Sequence, residues 1–146
     1  MTIRLMLASD YDAVRALWLA TAGMGLNDID DSREGIEKFL RCNPNTCFVA
    51  EQSGEIHGVI LTGNDGRRGY IYHAAVRESE RNRGLGTALV DAAMDALQAE
   101  GITKVALVCF AENEVGNAFW ERRGFTVRDD LTYRNRALAE LTRIDT

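Results

Sequence analysis

The sequence predicts a mixed α/β fold in the order strand, helix, helix, three strands, helix, strand, helix and two strands, written β-α-α-β-β-β-α-β-α-β-β. The chain has 146 residues, of which 46% are hydrophobic and 27% charged, so residues 1–146 are expected to form a single domain. Two strand-like runs joined by a tight turn precede a glycine-rich loop. One strongly periodic helical segment then lies between two apolar runs, which indicates a parallel crossover within a mixed sheet.

The N-terminal segment is predicted to form a strand followed by a helix. Residues 3–7 alternate in polarity with Ile and Leu on one face, which is typical of a strand with one buried side. Ser9 or Asp10 can cap the first helix, whose apolar face includes Trp18. Residues 23–30 are predicted to be a loop.

A second helix is predicted to begin at Asp31. Asp31 and Glu34 have the spacing of a capping box, and Asn43-Pro44-Asn45 is expected to end the helix. Strands over residues 47–51, 56–62 and 70–76 then form an antiparallel meander, with a turn at Ser53-Gly54 between the first two.

The clearest helical pattern spans residues 85–97, and Gly101 is placed to end that helix. The short apolar run Val105–Cys109 is typical of a central strand. A helix over residues 114–123 follows. Two strands are predicted to close the chain, at Phe125–Arg128 and Leu131–Leu138.

Composition excludes several classes of protein. The net charge of −5 disfavours non-specific nucleic-acid binding, which depends on neutralising phosphates. No stretch reaches the roughly 20 apolar residues of a membrane span, so no membrane partner is expected. No signal peptide is recognisable, and an odd count of three cysteines favours a reduced, cytoplasmic protein. Cys42 and Cys47 could contribute to a zinc site, but ordinary thiols are favoured, and no metal is expected.

Residues 76–89 join a predicted strand to the start of the best helix. Gly84 and Gly86 at that start let a ligand approach the backbone, and the free N–H groups of a first helical turn attract anions. Arg77, Arg81 and Arg83 add positive charge. The segment therefore favours a pyrophosphate site, although a helix start without a ligand remains the alternative. A dinucleotide fingerprint is excluded because Leu89 stands where its third glycine belongs.

Two motifs in this region resemble the GNAT superfamily of N-acetyltransferases. Arg81-x-x-Gly84-x-Gly86 resembles its acyl-CoA pyrophosphate motif. Asn113-x-x-Gly116-x-x-x-Trp120-x-x-x-Gly124-Phe125 resembles its second motif, in which alanine and tyrosine usually stand at the positions of Gly116 and Trp120. Asn82 stands where glycine is frequent, and asparagine tolerates the left-handed conformation.

The resemblance implies that acetyl-CoA is the donor, bound where the fourth and fifth strands splay apart. It also implies that an amine is the acceptor, and it allows a homodimer. The residues that it assigns to the cofactor are Ala74, Val76, Arg81, Asn82, Arg83, Gly84, Leu85, Gly86, Thr87, Asn113 and Trp120.

The catalytic candidates follow partly from the resemblance and partly from side-chain chemistry. In the family a tyrosine at the position of Trp120 often protonates the leaving thiolate, which an indole cannot do. The carbonyl oxygen is expected to receive a hydrogen bond from the N–H of Ala75 or Val76. His73 is the candidate base because imidazole ordinarily titrates nearest to neutral pH, and a histidine packed on the sheet is the alternative. Tyr72 is a further candidate, and strand alternation predicts that it faces away from His73.

The acceptor is predicted to bind near the loop between the first two helices, with Trp18, Asn27 and Asp28 as candidates. The acidic residues of this loop favour a cationic amine. The alternative is a solvated loop with a helix cap and no role in acceptor binding. A non-catalytic acyl-CoA-binding module, favoured by Trp120, and a phosphate-ligand site without acyl chemistry are the competing functions.

Overall fold

A five-stranded mixed sheet lies between two layers of helices in the computed structural model, which describes residues 1–145. The strands lie in the order of the sequence, and β5 runs parallel to β4 whereas all other neighbours are antiparallel. This confirms the mixed α/β class. The strands are β1 (Thr2–Leu5), β2 (Phe48–Gln52), β3 (Glu55–Asn64), β4 (Gly69–Val76) and β5 (Val105–Leu107), and the helices are α1 (Tyr11–Leu19), α2 (Arg33–Cys42), α3 (Leu85–Ala99) and α4 (Glu114–Arg122).

Alternate residues of β3 separate the two helical layers. Val59 and Leu61 pack into one buried cluster with residues of α1 and α2. Ile60, which lies between them, packs into a second cluster with α3 and with the aromatic side of α4. Residues 56–63 are buried without interruption, as expected for a strand that is covered on both faces. Among residues 1–145, no helix is both long and apolar enough to cross a bilayer.

The β2–β3 hairpin turns where the sequence predicts it. Ser53 and Gly54 both have positive φ angles, of 53° and 79°. Two successive residues in this conformation form the tight turn whose twist matches that of antiparallel strands.

A bulge interrupts the pairing of β3 with β4. Leu61 lies opposite His73 and Thr62 lies opposite Ile71, so Tyr72 is an extra residue in β4. An extra residue reverses the alternation of side chains beyond it. The prediction that Tyr72 and His73 face opposite ways is therefore wrong, and Tyr72 and His73 instead both contact the helices of the first layer.

The two C-terminal strands predicted at Phe125–Arg128 and Leu131–Leu138 are not present, because no strand follows β5 in the described residues. Every residue from Thr126 to Arg143 is exposed, and residues 126–141, here called the tail segment, form no backbone hydrogen bond to the sheet. Alternating polarity favours a strand only when a neighbouring strand completes the ladder, and in this chain none lies alongside. β5 is consequently an edge strand and not the central strand that its apolar run suggested.

The last described residues return to the loop between α1 and α2. The carboxylate of Asp145 accepts hydrogen bonds from the N–H groups of Gly25 and Leu26, both at 2.9 Å. Burial raises the pKa of Asp145, but the hydrogen bonds from Arg143 and from these N–H groups outweigh burial and leave the pKa lowered. The chain end thereby fixes the loop that borders the site described below.

Replacing Asp10 with alanine is expected to lower the free energy of unfolding at neutral pH by about 2–4 kcal/mol. Its carboxylate accepts two hydrogen bonds from Arg4, at 2.8 and 2.9 Å, and one from the N–H of Leu7 at 2.8 Å. Chemical denaturation measures the loss. The matched control is Asp12→Ala, which breaks the exposed pair with Arg33 and is expected to leave the free energy of unfolding nearly unchanged.

The Asp10 contribution is also expected to depend on pH. Burial raises the pKa of Asp10, but the hydrogen bonds from Arg4 and Leu7 prevail, so the folded-state pKa is lowered. The stabilisation is therefore complete above the unfolded carboxyl value of about 3.9 and is lost as the pH falls through the lower folded value. Equal acid sensitivity of the wild type and the Asp10→Ala variant would contradict this assignment.

Candidate active site

β4 and β5 part after three paired residues. Residues 69–71 lie beside residues 105–107, but β4 continues to Val76 with no β5 neighbour. A cavity of about 810 Å³ opens there and is lined by residues of β4, by the segment after β5 and by the loop between α1 and α2. The predicted splay between the fourth and fifth strands is thus present.

The N-terminus of α3 is uncapped. Gly84 precedes the helix with a φ angle of 80° and has no side chain with which to cap it. Within residues 1–145, the N–H groups of Leu85, Gly86 and Thr87 have no hydrogen-bond acceptor. These donors and the positive end of the helix dipole suit an anion. Asn82 has a φ angle of 63°, the left-handed conformation that was expected of it.

Two of the three arginines predicted near this helix start remain beside it. Arg81 donates from Nε to the carbonyl of Val76 at 3.3 Å. Arg83 is 70% exposed and lies 3.7 Å from Glu80. Arg77 instead turns to the β2–β3 hairpin, where it contacts Glu55 and the carbonyl of Ile56. The positive charge available to an anion therefore comes from Arg81 and Arg83.

His73 forms a short, partly buried contact with a carboxylate. Its Nε2 lies 2.7 Å from Oδ1 of Asp31, and the side chains are 11% and 5% exposed. Because a carboxylate only accepts hydrogen bonds, Nε2 carries the proton and Nδ1 is the nitrogen left to gain one. Nδ1 is buried with no partner among the described residues. The ring of Trp18 packs edge-on against the imidazole, with centroids 5.0 Å apart.

Asp31 is a residue of the cavity that the sequence pattern predicted to be a helix cap. The helix cap predicted at Asp31 is provided by Ser32, whose hydroxyl accepts from the N–H of Gly35 at 3.0 Å. Asp31 is released from capping and uses its second oxygen to accept from the N–H of Asn27 at 2.9 Å. The presence of Ser32, an equally good cap, was the available signal.

The bulge brings Tyr72 into the same cavity as His73. Tyr72 packs against Phe39 of α2 and against Tyr70, with ring centroids 5.4 and 4.7 Å apart. Burial, with a smaller effect from Asp30, raises the pKa of Tyr72. Its hydroxyl is therefore a weaker acid than a free phenol and keeps its proton at neutral pH. Burial likewise raises the pKa of the nearby Cys109 thiol.

Asn113 and Trp120 line the cavity from the opposite side, and Ala74 lines it from β4. Asn113 caps α4 by accepting from the N–H of Gly116 at 2.9 Å. A Cβ at Gly116 would come within 2.5 Å of the Asn113 side chain, so glycine leaves room for this cap. Trp120 packs edge-on against Phe119 and Phe125. Ala75 is buried, and Val76 lies next to Gly86 at the helix start.

The three candidates for acceptor binding are placed differently from one another. Asn27 lines the cavity. Trp18 is fully buried and does not line it, since it packs beneath His73. Asp28 also lies off the cavity, and its carboxylate accepts from the N–H of Thr142. Asp31 contacts His73, so the other carboxylate of the acidic loop on the cavity wall is that of Asp30. Lys38 of α2 lines the same cavity.

The cysteines are free thiols in different surroundings. Cys42 is exposed, whereas Cys47 is buried and burial raises its pKa to about 12. Across the described part of the chain, no three His, Cys, Asp or Glu side chains converge in a way that could hold a metal ion.

Solved structures share this fold. Ard1 from Thermoplasma volcanium superposes with a TM-score of 0.75 over 87% of this chain and 83% of its own, at 23% identity. A ribosomal-protein-alanine N-acetyltransferase from Brucella melitensis gives a TM-score of 0.70 over 94% of this chain and all of its own, at 21% identity. Rv2747 from Mycobacterium tuberculosis, solved in complex with CoA, gives 0.69 over 86% of this chain and 72% of its own, at 22% identity.

Sequence comparison identifies closer relatives. A protein named an acetyltransferase from Pectobacterium atrosepticum is 31% identical over 96% of this chain and 98% of its own length. Another from Sodalis glossinidius is 30% identical over 96% and 97%. The model of the acetyltransferase (GNAT) family matches residues 11–125, which include the helix start and the splay. The chain therefore belongs to the GNAT family and is an acetyl-CoA-dependent N-acetyltransferase.

Proposed function

We propose that this enzyme transfers the acetyl group of acetyl-CoA directly to a primary amine of a small molecule or of a peptide or protein N-terminus. The observation that carries the proposal is the His73–Asp31 pair, which lies on the wall of the cavity where β4 and β5 separate. Direct transfer is supported by Cys109, a thiol of this cavity whose pKa is raised by burial, which makes it a poorer nucleophile.

The start of α3 fits the pyrophosphate of the donor. Its first turn offers the unpaired N–H groups of Leu85, Gly86 and Thr87, and Arg81 and Arg83 lie beside it. Backbone groups of β4 after Ile71, where the β5 ladder has ended, fit the amides of the pantetheine arm. Asn113 and Ala74 border the same opening.

His73 is proposed to take the proton that the amine loses. An amine attacks a carbonyl carbon only through its free electron pair, so a protonated amine must first give up its proton. With Nε2–H held by Asp31, Nδ1 is the nitrogen proposed to accept the proton, which requires a small movement of the side chains that bury it in the structure. The Asp31 carboxylate fixes the ring and stabilises its protonated form, which makes Asp31 a positioning residue.

The thioester supplies an electrophilic carbonyl and a thiolate leaving group. As the carbon–nitrogen bond forms and the carbon–sulphur bond breaks, negative charge passes through the carbonyl oxygen to sulphur. The N–H of Ala75 or Val76 is proposed to stabilise the oxygen. Tyr72, which keeps its proton at neutral pH, is proposed to donate a proton to the thiolate, because Trp120 offers no acidic hydrogen.

A thiol-release assay tests the proposal. Acetyl-CoA would be supplied with small primary amines, amino sugars and peptides with a free N-terminus, and mass spectrometry would identify the acetylated nitrogen. N-terminally blocked peptides and tertiary amines are the matched controls. The proposal is overturned if free thiol never exceeds the rate of acetyl-CoA hydrolysis with any primary amine, and an enzyme-bound acetyl thioester would overturn direct transfer.

Replacing Trp120 with tyrosine is expected to leave the enzyme active. The indole packs against Phe119 and Phe125 and has no acid function, and tyrosine retains most of the ring contact while it adds a hydroxyl. Steady-state kcat and the KM for acetyl-CoA measure the effect. A fall in kcat of more than about 10²-fold, the size of one acid–base contribution, would show that the indole N–H itself serves the reaction.

Other expectations from the sequence remain predictions. They are the cytoplasmic location, the absence of nucleic-acid and membrane partners, and a single domain over residues 1–146. A homodimer also remains a prediction.

A further inference from the structure

The cavity beside His73 has an aromatic wall. Tyr72 packs against Phe39 of α2 and against Tyr70, with ring centroids 5.4 and 4.7 Å apart, and all three rings line the cavity. Tyr133 of the tail segment lines it as well. Burial raises the pKa of Tyr70, and Tyr133 and Tyr72 raise it further, which is consistent with three neighbouring phenols. Phe39, Tyr70, Tyr72 and Tyr133 are here called the aromatic wall.

Large apolar side chains of this cavity are open to solvent. Five of them are 45–65% exposed and line the cavity, namely Ile29, Tyr72, Val108, Phe110 and Tyr133. They come from the α1–α2 loop, from β4, from the segment after β5 and from the tail segment. An exposed apolar surface that is gathered in a concave site is typical of a place where a ligand binds. A ligand there would meet apolar groups on several sides.

The charged groups of the cavity do not favour a ligand with a second positive charge. Among the described residues that line it, the carboxylates are those of Asp30 and Asp31. Asp31 contacts His73, and Asp30 accepts a hydrogen bond from Nδ2 of Asn27 at 3.1 Å. Lys38 adds a positive charge to the same cavity, which disfavours a polycation. The acidic loop therefore carries less weight for the choice of acceptor than the aromatic wall does.

The aromatic wall begins next to the proposed base. Tyr72 precedes His73 in β4, and both side chains contact the helices of the first layer. An amine whose nitrogen gives its proton to His73 thus has the aromatic wall beside its carbon substituent. The cavity volume of about 810 Å³ lies within the range of small-molecule sites, and the acyl end of the donor is proposed to occupy part of it.

On the basis of the proposed function, we propose that the acceptor is a primary amine with an aromatic ring close to its nitrogen, and that this ring packs on the aromatic wall. Aromatic rings prefer edge-on or offset contacts, which the rings of the wall already make with one another. Two sources share this chemistry: a free arylalkylamine and a peptide whose first residue is aromatic. The nitrogen–carbon bond forms, the carbon–sulphur bond breaks, and the amine proton passes to His73.

Initial rates of thiol release with matched primary amines test the proposal. Phenethylamine is expected to have a kcat/KM about 10²-fold above those of butylamine, diaminobutane and glucosamine, since a fitted apolar group gives discrimination of this order. A peptide that begins with phenylalanine, compared with the same peptide beginning with alanine, tests the second source. Equal or higher kcat/KM for the diamine or the amino sugar would overturn the aromatic acceptor while leaving transfer to an amine intact.

Calorimetric titration separates this inference from the proposed function. With unacetylated CoA bound, no acetyl group can be transferred, so the affinity for the amine is measured without turnover. Phenethylamine is expected to bind about tenfold more tightly than diaminobutane. An aromatic amine that binds in this way but is never acetylated would overturn the proposed function alone. Equal affinities, or no binding of either amine, would overturn the aromatic acceptor.

Tyr70 offers matched variants, because it belongs to the aromatic wall and has no proposed role in proton transfer. Tyr70→Leu keeps an apolar side chain but removes the ring. It is expected to raise the KM for phenethylamine by about 3- to 10-fold, the size of one aromatic contact, while the KM for butylamine stays within about twofold. Tyr70→Phe keeps the ring and is expected to behave as the wild type.

Tyr133→Leu repeats the test at a side chain that is 65% exposed, where little packing is lost. It is expected to raise the KM for phenethylamine and to leave that for butylamine unchanged. Circular dichroism checks that each variant is folded. If the KM values of the two amines rise equally in both leucine variants, the rings have only a structural role and the proposal is overturned.

Discussion

Replacing His73 with alanine is expected to lower kcat/KM for the amine by about 10²–10⁴-fold, the usual contribution of a positioned acid–base group. The loss should fall on kcat, while the KM for acetyl-CoA stays within a few-fold, because the imidazole contacts Asp31 and not the start of α3, where the donor is proposed to bind. Initial rates over a range of pH are the measurement. The dependence of the rate on pH should differ between the wild type and the variant, and an unchanged profile would remove His73 as the base.

Asp31→Asn tests the positioning role. The amide oxygen can still accept from Nε2, but the amide nitrogen then faces the N–H of Asn27, and the side chain has no charge with which to stabilise a protonated ring, so kcat is expected to fall by about 10- to 100-fold. Asp30→Asn removes a charge from the adjacent position, which also borders the cavity, and is the matched control. If both variants lose equal activity, the loss reflects the charge of the loop and not the contact with His73.

Replacing Gly84 with valine is expected to raise the KM for acetyl-CoA by about 10- to 100-fold. The loss of one charge-assisted hydrogen bond costs about 1.5–3 kcal/mol of binding free energy, which corresponds to a change in affinity of this order. A φ angle of 80° strains any residue with a Cβ, so the backbone relaxes and turns the N–H groups of the following turn away from the phosphates. Steady-state kinetics and calorimetric titration with CoA measure the effect.

Gly66→Val is the matched control for this change. Gly66 has a φ angle of 85°, and a Cβ at either glycine meets nothing within 4 Å. Both variants are therefore expected to lose the same ~1–2 kcal/mol of unfolding free energy, while Gly66→Val leaves the KM for acetyl-CoA unchanged. Equal KM values in the two variants would show that the start of α3 does not bind the donor.

Local patterns predicted the parts of the fold that local chemistry determines. The Ser53-Gly54 turn, the long helix α3 and the glycine start at Gly84 each depend on residues within a few positions of one another, and each is present. The motif from Arg81 to Gly86 likewise predicted the glycine-led start of α3, which is the proposed donor site. The register of the β3–β4 ladder depends on partners far apart in sequence, so the bulge at Tyr72 could not be read from either strand.

The errors about His73 and the tail have this origin too. Alternation placed His73 opposite Tyr72 because it assumes an uninterrupted ladder. The prediction of strands after Phe125 is wrong for a related reason, because the local pattern carries no information about whether a sheet edge lies alongside to complete them. Asp31 was assigned to a cap because the sequence shows candidate caps and not the histidine that competes for one of them.

The bulge at Tyr72 adds a side chain to the cavity without changing the ladder on either side of it. Deleting Tyr72 would leave Leu61 opposite His73 and Thr62 opposite Ile71, so the imidazole would keep its face and only the phenol would be lost. One inserted or deleted residue in β4 is thus a route by which such an enzyme could acquire or lose a second polar side chain beside the histidine in a single event. In comparing relatives, the count of residues between the β3–β4 turn and His73 is therefore as informative as the identity of the residue aligned with Tyr72.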